Sequence, residues 1–288
     1  MVYDALIIGK GPAGISAAIY LTRAGYVALA CGKDGGALER AEKIENYYGF
    51  PQAVSGPELV SFGIKQAERV GVAVRTCEIV GISVEDSFVV KSTEGELRAR
   101  TILIATGKSR AALAVPGFED FRGKGISFCA TCDGFFYRKK RLAVIGSGDY
   151  AASELEELLP FTNSITLFTN GAAVTSQRFP EEIARVTSPV VRFVGTDRLS
   201  AIVTADGVEH ALDGAFVAIG TAGAADFAAK VGIAAEGDDI VVDRDFMTNI
   251  PGLFAAGDCI GGFYQVAKAV SDGALAAKAM IAFLKKAK

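Results

Sequence analysis

Ala5-Leu6-Ile7-Ile8-Gly9-Lys10-Gly11-Pro12-Ala13-Gly14 decides the fold of this 288-residue chain. Ala5 to Ile8 is a short apolar run of strand character, and Ile15 to Arg23 has the pattern of a helix. Between them stands G-x-G-x-x-G. Its glycines permit a tight turn and close backbone approach, and the helix N-terminus presents free N–H groups to a pyrophosphate. Alone the motif is a weak signal; framed by a strand and a helix it predicts a dinucleotide-binding domain. The second strand, Tyr26 to Cys31, ends Ala30-Cys31-Gly32. An NAD site would place an acidic residue there to grip the ribose, so a flavin dinucleotide held by other contacts is expected instead.

The pattern occurs twice. Arg141 to Ile145 is a strand, Gly146-Ser147-Gly148-Asp149-Tyr150-Ala151 is G-x-G-x-x-A, Ala152 to Leu159 is helical, and Ser164 to Phe168 supplies the next strand. Two such units indicate an internal duplication. The expected fold is therefore α/β, with two dinucleotide-binding (Rossmann-like) three-layer domains. Between the copies, Leu59 to Val70 reads as an amphipathic helix, and Val72 to Val90 alternates like paired strands closed by the Glu94-Gly95 turn. Thr101 to Gly107 is a buried strand whose small-residue turn, Ala105-Thr106-Gly107, lets the chain pass close to a cofactor. Val115-Pro116-Gly117 marks a domain boundary. Val190 to Val194, Leu199 to Thr204 and Ala215 to Ile219 add strands. Near the end, Gly252 to Asp258 is a strand with a Gly-Asp turn, followed by an Ala-rich helix from Gln265 to Phe283. Asp258 reads either as the acceptor for a ribityl or ribose hydroxyl or as a plain helix or turn cap.

The chemistry-bearing stretch is Cys129-Ala130-Thr131-Cys132-Asp133-Gly134. A Cys-x-x-Cys pair outside a disulfide-rich secreted framework reads as a redox dithiol, in which one thiol can be lowered towards neutrality and attack as a thiolate. Asp133 is placed to carry the proton that such exchange loses and regains. The alternatives are half of a zinc site or a pair of buried cysteines. Zinc needs about four ligands, and Cys31, Cys77, Cys259 and His210 are isolated and far apart in sequence, so no metal is expected.

Composition bounds the rest. Half of the residues are apolar, enough for two domains with real cores. Apolar runs are short and interrupted, which excludes a membrane span. Met1-Val2-Tyr3-Asp4 lacks the basic region of a secretory signal, and five cysteines at irregular spacing fit a reducing cytoplasm. A net charge of −3 gives no general reason to expect nucleic acid or an anionic membrane.

These residues resemble the low-molecular-weight flavin thioredoxin reductase family along essentially the whole chain. The resemblance rests on Gly9 to Gly14, Gly35-Gly36, Ile44-Glu45-Asn46, Ala105-Thr106-Gly107, the very specific run Cys129 to Arg138, and Phe254 to Asp258 with Gln265. It implies a homodimer that reduces thioredoxin, with an FAD domain in two pieces, 1–113 and 245–288. An inserted NADPH-domain-like redox domain, 114–244, would carry the dithiol. It implies FAD contacts from Gly9, Gly11, Pro12, Ala13, Gly14, Gly35, Gly36, Leu38, Asn46, Ala105, Thr106, Gly107, Gly257, Asp258, Gln265, Val266 and Ala267. Cys132 would lie against the flavin, Cys129 would meet the protein substrate, and Asp133 would donate and accept the proton.

The chain departs from the family where NADPH binds. The family's second strand of the inserted domain ends in His-Arg-Arg, with another Arg four residues on; the matching positions here are Thr169, Asn170, Gly171 and Thr175. From Leu142 to Gln177 there is no Lys, Arg or His, while Asp149, Glu154, Glu156 and Glu157 are acidic. A 2′-phosphate of about −1.5 to −2 charge is not held by such a site. NADH fares little better, because Thr169 stands where a carboxylate would bind its ribose diol. Tyr150 adds bulk beside the turn, and Thr221-Ala222-Gly223-Ala224 departs from the family's His-x-Pro-Asn-like turn.

The chain is therefore most similar to the branch in which reduced ferredoxin, rather than NADPH, reduces the flavin. Other readings are an NADPH enzyme with a non-standard site, an FAD-dependent small-molecule dithiol oxidase, and a flavin-binding redox sensor without turnover. Arg138-Lys139-Lys140-Arg141 is the one dense basic run and reads as a solvated turn more than a docking patch. Lys10 either adds positive charge at the phosphate turn or points to solvent, and Cys259 reads as a small buried side chain.

Overall fold

The computed structural model describes residues 1–107, 113–220, 224–237 and 239–286, with the side chains of residues 40, 131, 132 and 224–226 outside the description. The chain starts in β1 (Val2–Ile8) and turns at Gly9 into α1 (Pro12–Arg23). Proline at the first helical turn fits because its missing N–H has no partner to lose there. β2 (Ala28–Cys31) pairs in parallel with β1, and all four of its residues are buried. Burial on both faces explains why these strands read as continuous apolar runs rather than alternations.

α2 (Gly56–Arg69) starts at a reciprocal cap. Ser55 Oγ accepts from Glu58 N at 3.3 Å, and Glu58 Oε2 accepts from Ser55 N at 3.1 Å. The Ser55 hydroxyl also donates to Glu58 Oε2 at 2.7 Å, and this bond, then the one from Ser55 N, holds the Glu58 carboxyl below its usual range. β3 (Ala73–Arg75), β4 (Ile79–Val84), β5 (Phe88–Ser92) and β6 (Gly95–Ile104) follow. The stretch read as one pair of strands is divided differently: β3 joins the parallel sheet beside β2, and the antiparallel meander is β4–β5–β6.

In the second unit, β7 (Ile126–Ser127) leads into the short α3 (Ala130–Asp133), then β8 (Leu142–Ile145), α4 (Asp149–Leu158), β9 (Ile165–Phe168) and β10 (Ala184–Val186). β11 (Val190–Gly195), β12 (Leu199–Thr204) and β13 (Glu209–Ala211) form an antiparallel three-stranded layer. β14 (Gly214–Val217) closes the unit by inserting between β8 and β7. The parallel order β10-β9-β8-β14 repeats the order β3-β2-β1-β6 of the first unit, so the duplication read from the two glycine motifs is present in the topology.

The chain returns through α5 (Ala224–Val231) and a small hairpin, β15 (Ala235–Glu236) with β16 (Asp239–Ile240). β17 (Leu253–Ala255) then lies parallel to the end of β6, and α6 (Val266–Lys286) finishes the first unit. β6 is long enough to pair with β5 along its first half and β17 along its second.

Chain contacts divide the molecule into Met1–Ser109 with Gly223–Lys288, and Arg110–Ala222. The expected return at residue 245 is therefore corrected to 223. α5 belongs to the first unit because it packs on β4, where Lys230 Nζ donates to Val80 O at 3.3 Å. Thr221, Ala222 and Gly223 lie outside the described residues. No helix among the described residues is long and apolar enough to cross a membrane.

The core of the first unit joins the sheet to α1 and α6 through small side chains, among them Ala13, Ala17, Ala276 and Ala277. A Cβ on Gly273 would collide with the carbonyl oxygen of Ala13, so the two helices cross at backbone contact. Gly273→Ala is expected to destabilise the first unit by about 1–3 kcal/mol through overpacking. The check is a lower denaturation midpoint with an unchanged denaturant slope.

Candidate active site: a dithiol turn and a dinucleotide cradle

The dithiol starts a single helical turn. Cys129 is buried and disulfide-bonded, and α3 begins at the next residue. The side chain of Cys132 lies outside the described ones. Three side chains fix this turn. Ser127 Oγ accepts from Cys129 N at 3.1 Å and donates to Asp133 Oδ2 at 2.7 Å. Glu154 Oε2 accepts from Ala130 N at 2.6 Å. Tyr150 Oη donates to Phe128 O at 3.2 Å. Asp133, read from sequence as the proton carrier, is thus held through Ser127 to the backbone of the thiol it would serve.

Ser127 and Glu154 were not legible as site residues, and Tyr150 was legible only as bulk. A signal existed for Glu154: it sits on the buried face of α4 among Ala151, Ala152 and Leu155, where a charged group needs a partner. Phe135 and Phe136, just beyond the turn, are 59% and 74% exposed and meet edge to face at 6.0 Å. The basic run that follows is exposed throughout. Arg138 lies over the Phe135 ring at 4.7 Å, and Arg141 pairs with Asp213 at 3.3 Å, lowering the pKa of that carboxyl.

In the first unit the phosphate turn is built for close approach. A Cβ on Gly9 would collide with Ala105 O, and one on Gly14 with Gly9 O. These contacts press the turn against the end of β6 and the first turn of α1. Gly11 has no neighbour nearer its missing Cβ than Gly35 O at 3.9 Å, so the turn stays open towards the Gly35-Gly36 loop. α1 carries no side-chain cap and no acidic residue in its first turn, which leaves its N–H groups for an anion. Thr106 Oγ1, beside the turn, is buried without a hydrogen-bond partner.

From the far end of the chain, a Cβ on Gly257 would crowd Ala13 Cβ at 2.9 Å, which sets the Gly257-Asp258 turn on α1. Lys268 holds that turn: its Nζ donates to Gly257 O at 2.9 Å and Gly261 O at 2.6 Å and pairs with Asp272 at 2.8 Å. The four-residue spacing of Lys268 and Asp272 was a readable signal. Asn46 Nδ2 donates to Gln265 Oε1 at 2.8 Å, joining two expected cofactor residues far apart in sequence. Gly36, Leu38, Val266 and Ala267 stand on the adjoining loop and helix start, while Gly107 follows Thr106. The loop, α1 and α2 also wall an open cleft of about 450 Å³, lined at one end by Lys10, Gly11 and Pro12 and elsewhere by Tyr47, Tyr48 and Phe62. Lys10 does not point to solvent; it is buried, with Nζ donating to Thr76 Oγ1 at 2.7 Å.

The second glycine turn has the same backbone and a different surrounding. A Cβ on Gly146 would collide with Ala218 O, as on Gly9 with Ala105 O. Here, however, α4 begins with Asp149, and the segment after β9 folds over the turn. Thr175 N donates to Ser147 O at 2.9 Å, and Ser176 Oγ donates to Asp149 Oδ1 at 2.6 Å. Thr169 is buried, and Asn170 spends its side-chain oxygen on Val190 N at 2.8 Å.

The remaining cysteines, Cys31, Cys77 and Cys259, are free and buried. Cys259 donates weakly to Ile104 O and Ala256 O, and burial pushes its thiol up to about 12, which makes it inert.

The pyridine nucleotide-disulphide oxidoreductase family model matches residues 3–273. The chain belongs to that family. Within it, the chain is 33% identical to a thioredoxin reductase of Aquifex aeolicus strain VF5, over 98% of this chain and 92% of that one. Among solved structures, it is similar to the atypical thioredoxin reductase TRi from Desulfovibrio vulgaris Hildenborough. That match has 40% identity and a TM-score of 0.93, covering 99% of both chains. A ferredoxin-flavin thioredoxin reductase from Clostridium acetobutylicum is 27% identical with a TM-score of 0.75, covering 99% of this chain and 98% of that one. FAD is the cofactor of this oxidoreductase, and the open, uncapped first turn with its unpartnered Thr106 hydroxyl fits a dinucleotide.

Glu154→Ala leaves the buried Ala130 N–H without an acceptor and is expected to destabilise the second unit by about 1–3 kcal/mol. Glu154→Gln keeps an oxygen on that N–H and should cost less. Denaturant midpoints of the two variants, compared with the parent, test this ordering.

Proposed function

We propose that this chain is an FAD-dependent thioredoxin-disulfide reductase whose electrons come from reduced ferredoxin and pass through the Cys129/Cys132 dithiol to thioredoxin. The observation that carries the choice of donor is the second glycine turn. Its helix N-terminus bears Asp149 and is covered by Thr175 and Ser176, and Thr169 and Asn170 offer no cation to a 2′-phosphate. Two missing charge-assisted hydrogen bonds, at about 1.5–3 kcal/mol each, amount to roughly 10²–10⁴-fold in affinity. Similarity to the clostridial ferredoxin-flavin enzyme supports the same donor.

In this reading the first unit holds the cofactor. Gly9, Gly11, Pro12, Ala13 and Gly14 cradle the pyrophosphate. Gly35, Gly36, Leu38, Asn46, Ala105, Thr106 and Gly107 line one side, and Gly257, Asp258, Gln265, Val266 and Ala267 line the other. When bound, FAD supplies the conversion of single electrons to a pair. Cys132 receives that pair and Cys129 is released as a thiolate. Cys129 attacks the disulfide of thioredoxin, forming a mixed disulfide; Cys132 resolves it, re-forming the internal bond and releasing reduced thioredoxin. Asp133, held by Ser127, supplies and recovers the proton. Exposed Phe135 and Phe136 offer the partner an apolar contact beside the dithiol.

A second copy of the chain covers the aromatic face of the first unit, where Tyr20, Tyr48 and Phe62 are 54%, 98% and 49% exposed. Three free thiols suit a reducing cytoplasm.

The test is thioredoxin reduction driven by photoreduced ferredoxin and, separately, by NADPH. Ferredoxin should support turnover, with NADPH slower by at least about two orders of magnitude. Cys129→Ser and Cys132→Ser should each abolish turnover while FAD absorbance is retained. Fast NADPH bleaching of the flavin overturns the donor, and turnover in Cys129→Ser overturns the dithiol. Sedimentation should give a dimer that Phe62→Glu converts to monomer.

A further inference from the structure

The carboxyl ends of β1, β2 and β3 lie side by side, with Ile8 opposite Cys31 and Cys31 opposite Arg75. At the end of the second strand a dinucleotide fold carries the acid that grips the adenosine ribose, and here that strand ends in Ala30-Cys31-Gly32. A side chain from the phosphate turn crosses the gap. A Cβ on Gly32 would stand 3.0 Å from both Cγ and N of Lys10, so the glycine makes room for the lysine stem. Lys10 Nζ then donates to Thr76 Oγ1 at 2.7 Å, one residue past the end of β3. The ammonium is thus carried from the turn after β1 across the ends of β2 and β3.

Lys10 is 8% exposed and makes no ion pair among the described residues. Lys33, the other cation after β2, is spent on Glu78 Oε2 at 2.8 Å. An ammonium carries three donors, and Thr76 takes one of those on Lys10. A buried charge needs acceptors for its donors, and the acceptors that a dinucleotide brings to this end of the crevice are its ribose hydroxyls.

We propose that Lys10 holds the adenosine ribose of FAD, donating from the phosphate turn to the hydroxyl oxygens in place of the acid that would accept from them on β2. The polarity of the contact is reversed, while the hydroxyls remain the groups recognised. This role rests on the reading that the first glycine turn cradles the FAD pyrophosphate. It makes Lys10 a specificity residue for the adenosine half of the cofactor and leaves the dithiol untouched.

The experiment equilibrates holoenzyme with excess FAD and an equal amount of an FAD analogue whose adenosine ribose lacks both hydroxyls. The flavins retained after gel filtration are then separated and quantified. One charge-assisted hydrogen bond should give the parent a preference for FAD of about 10–100-fold. Lys10→Met, which keeps the stem and loses the donors, should retain the two flavins nearly equally. A preference kept in full by Lys10→Met, or absent from the parent, overturns the proposal. Weaker retention of both flavins at an unchanged ratio also overturns it, because that is the mark of a merely structural lysine. If Lys10→Met fails to fold, Lys10→Leu is read in the same way.

Gly11→Asp separates this proposal from the cradle reading. Gly11 precedes α1 with φ −77°, and its missing Cβ has no neighbour nearer than 3.9 Å, so an aspartate fits as a helix cap and sets a negative charge against the pyrophosphate. Loss of both flavins from Gly11→Asp upholds the cradle and leaves Lys10 to be judged on the ratio alone. Flavin retained by Gly11→Asp overturns the cradle and the role of Lys10 with it.

Discussion

Backbone packed on backbone at the ends of β1 and β8 is the constraint on which the structure depends. Gly9 lies against Ala105 O and Gly146 against Ala218 O, each too close to admit a Cβ. That contact brings the turn after β1 onto the end of β6, and the turn after β8 onto the end of β14, each much later in sequence. The crevice so formed lies at the carboxyl ends of parallel strands, where the strand order reverses, and this is where such sheets bind ligands. Everything built around the first crevice, from the Asn46–Gln265 bond to the Lys268 clamp on Gly257 and Gly261, assumes that approach.

The two crevices share a backbone and differ in what faces them. In the first, an uncapped helix without early acids meets an open loop, so the N–H groups keep their capacity for an anion. In the second, an aspartate begins the helix and a returning segment makes hydrogen bonds that a phosphate would otherwise receive or displace. The side chains nearby have turned to the dithiol instead. Tyr150 and Glu154, on the helix that in a nucleotide site would serve the cofactor, hold Phe128 O and Ala130 N on either side of Cys129.

What was legible in the sequence follows from the range of each signal. The strand–glycine–helix units and the dithiol are local patterns, and β1, α1, β8 and α4 stand where their residues place them. The return to the first unit was misplaced because α5 is assigned by packing on β4, more than a hundred residues earlier, and no local composition change marks it. Likewise β3 was read into a pair of strands over Val72 to Val90 because its alternation runs on into theirs; only its partner, β2, makes it parallel. Ser127 and Glu154 escaped because a single polar residue shows its role only through the backbone group it meets. Lys10 was ambiguous for the same reason, and Thr76 resolves it.

The segment after β9 has a consequence for redesign. Its amide and hydroxyl groups bond to Ser147 and Asp149, so the main chain itself occupies the mouth of the second glycine turn, where Leu142 to Gln177 supply no Lys, Arg or His. Arginines grafted onto positions 169 and 170 would therefore add charge while leaving those hydrogen bonds in place. On the proposed donor, admitting a pyridine nucleotide would require rerouting that loop first, and electron-source preference would then reside in the path of the chain more than in exchangeable side chains.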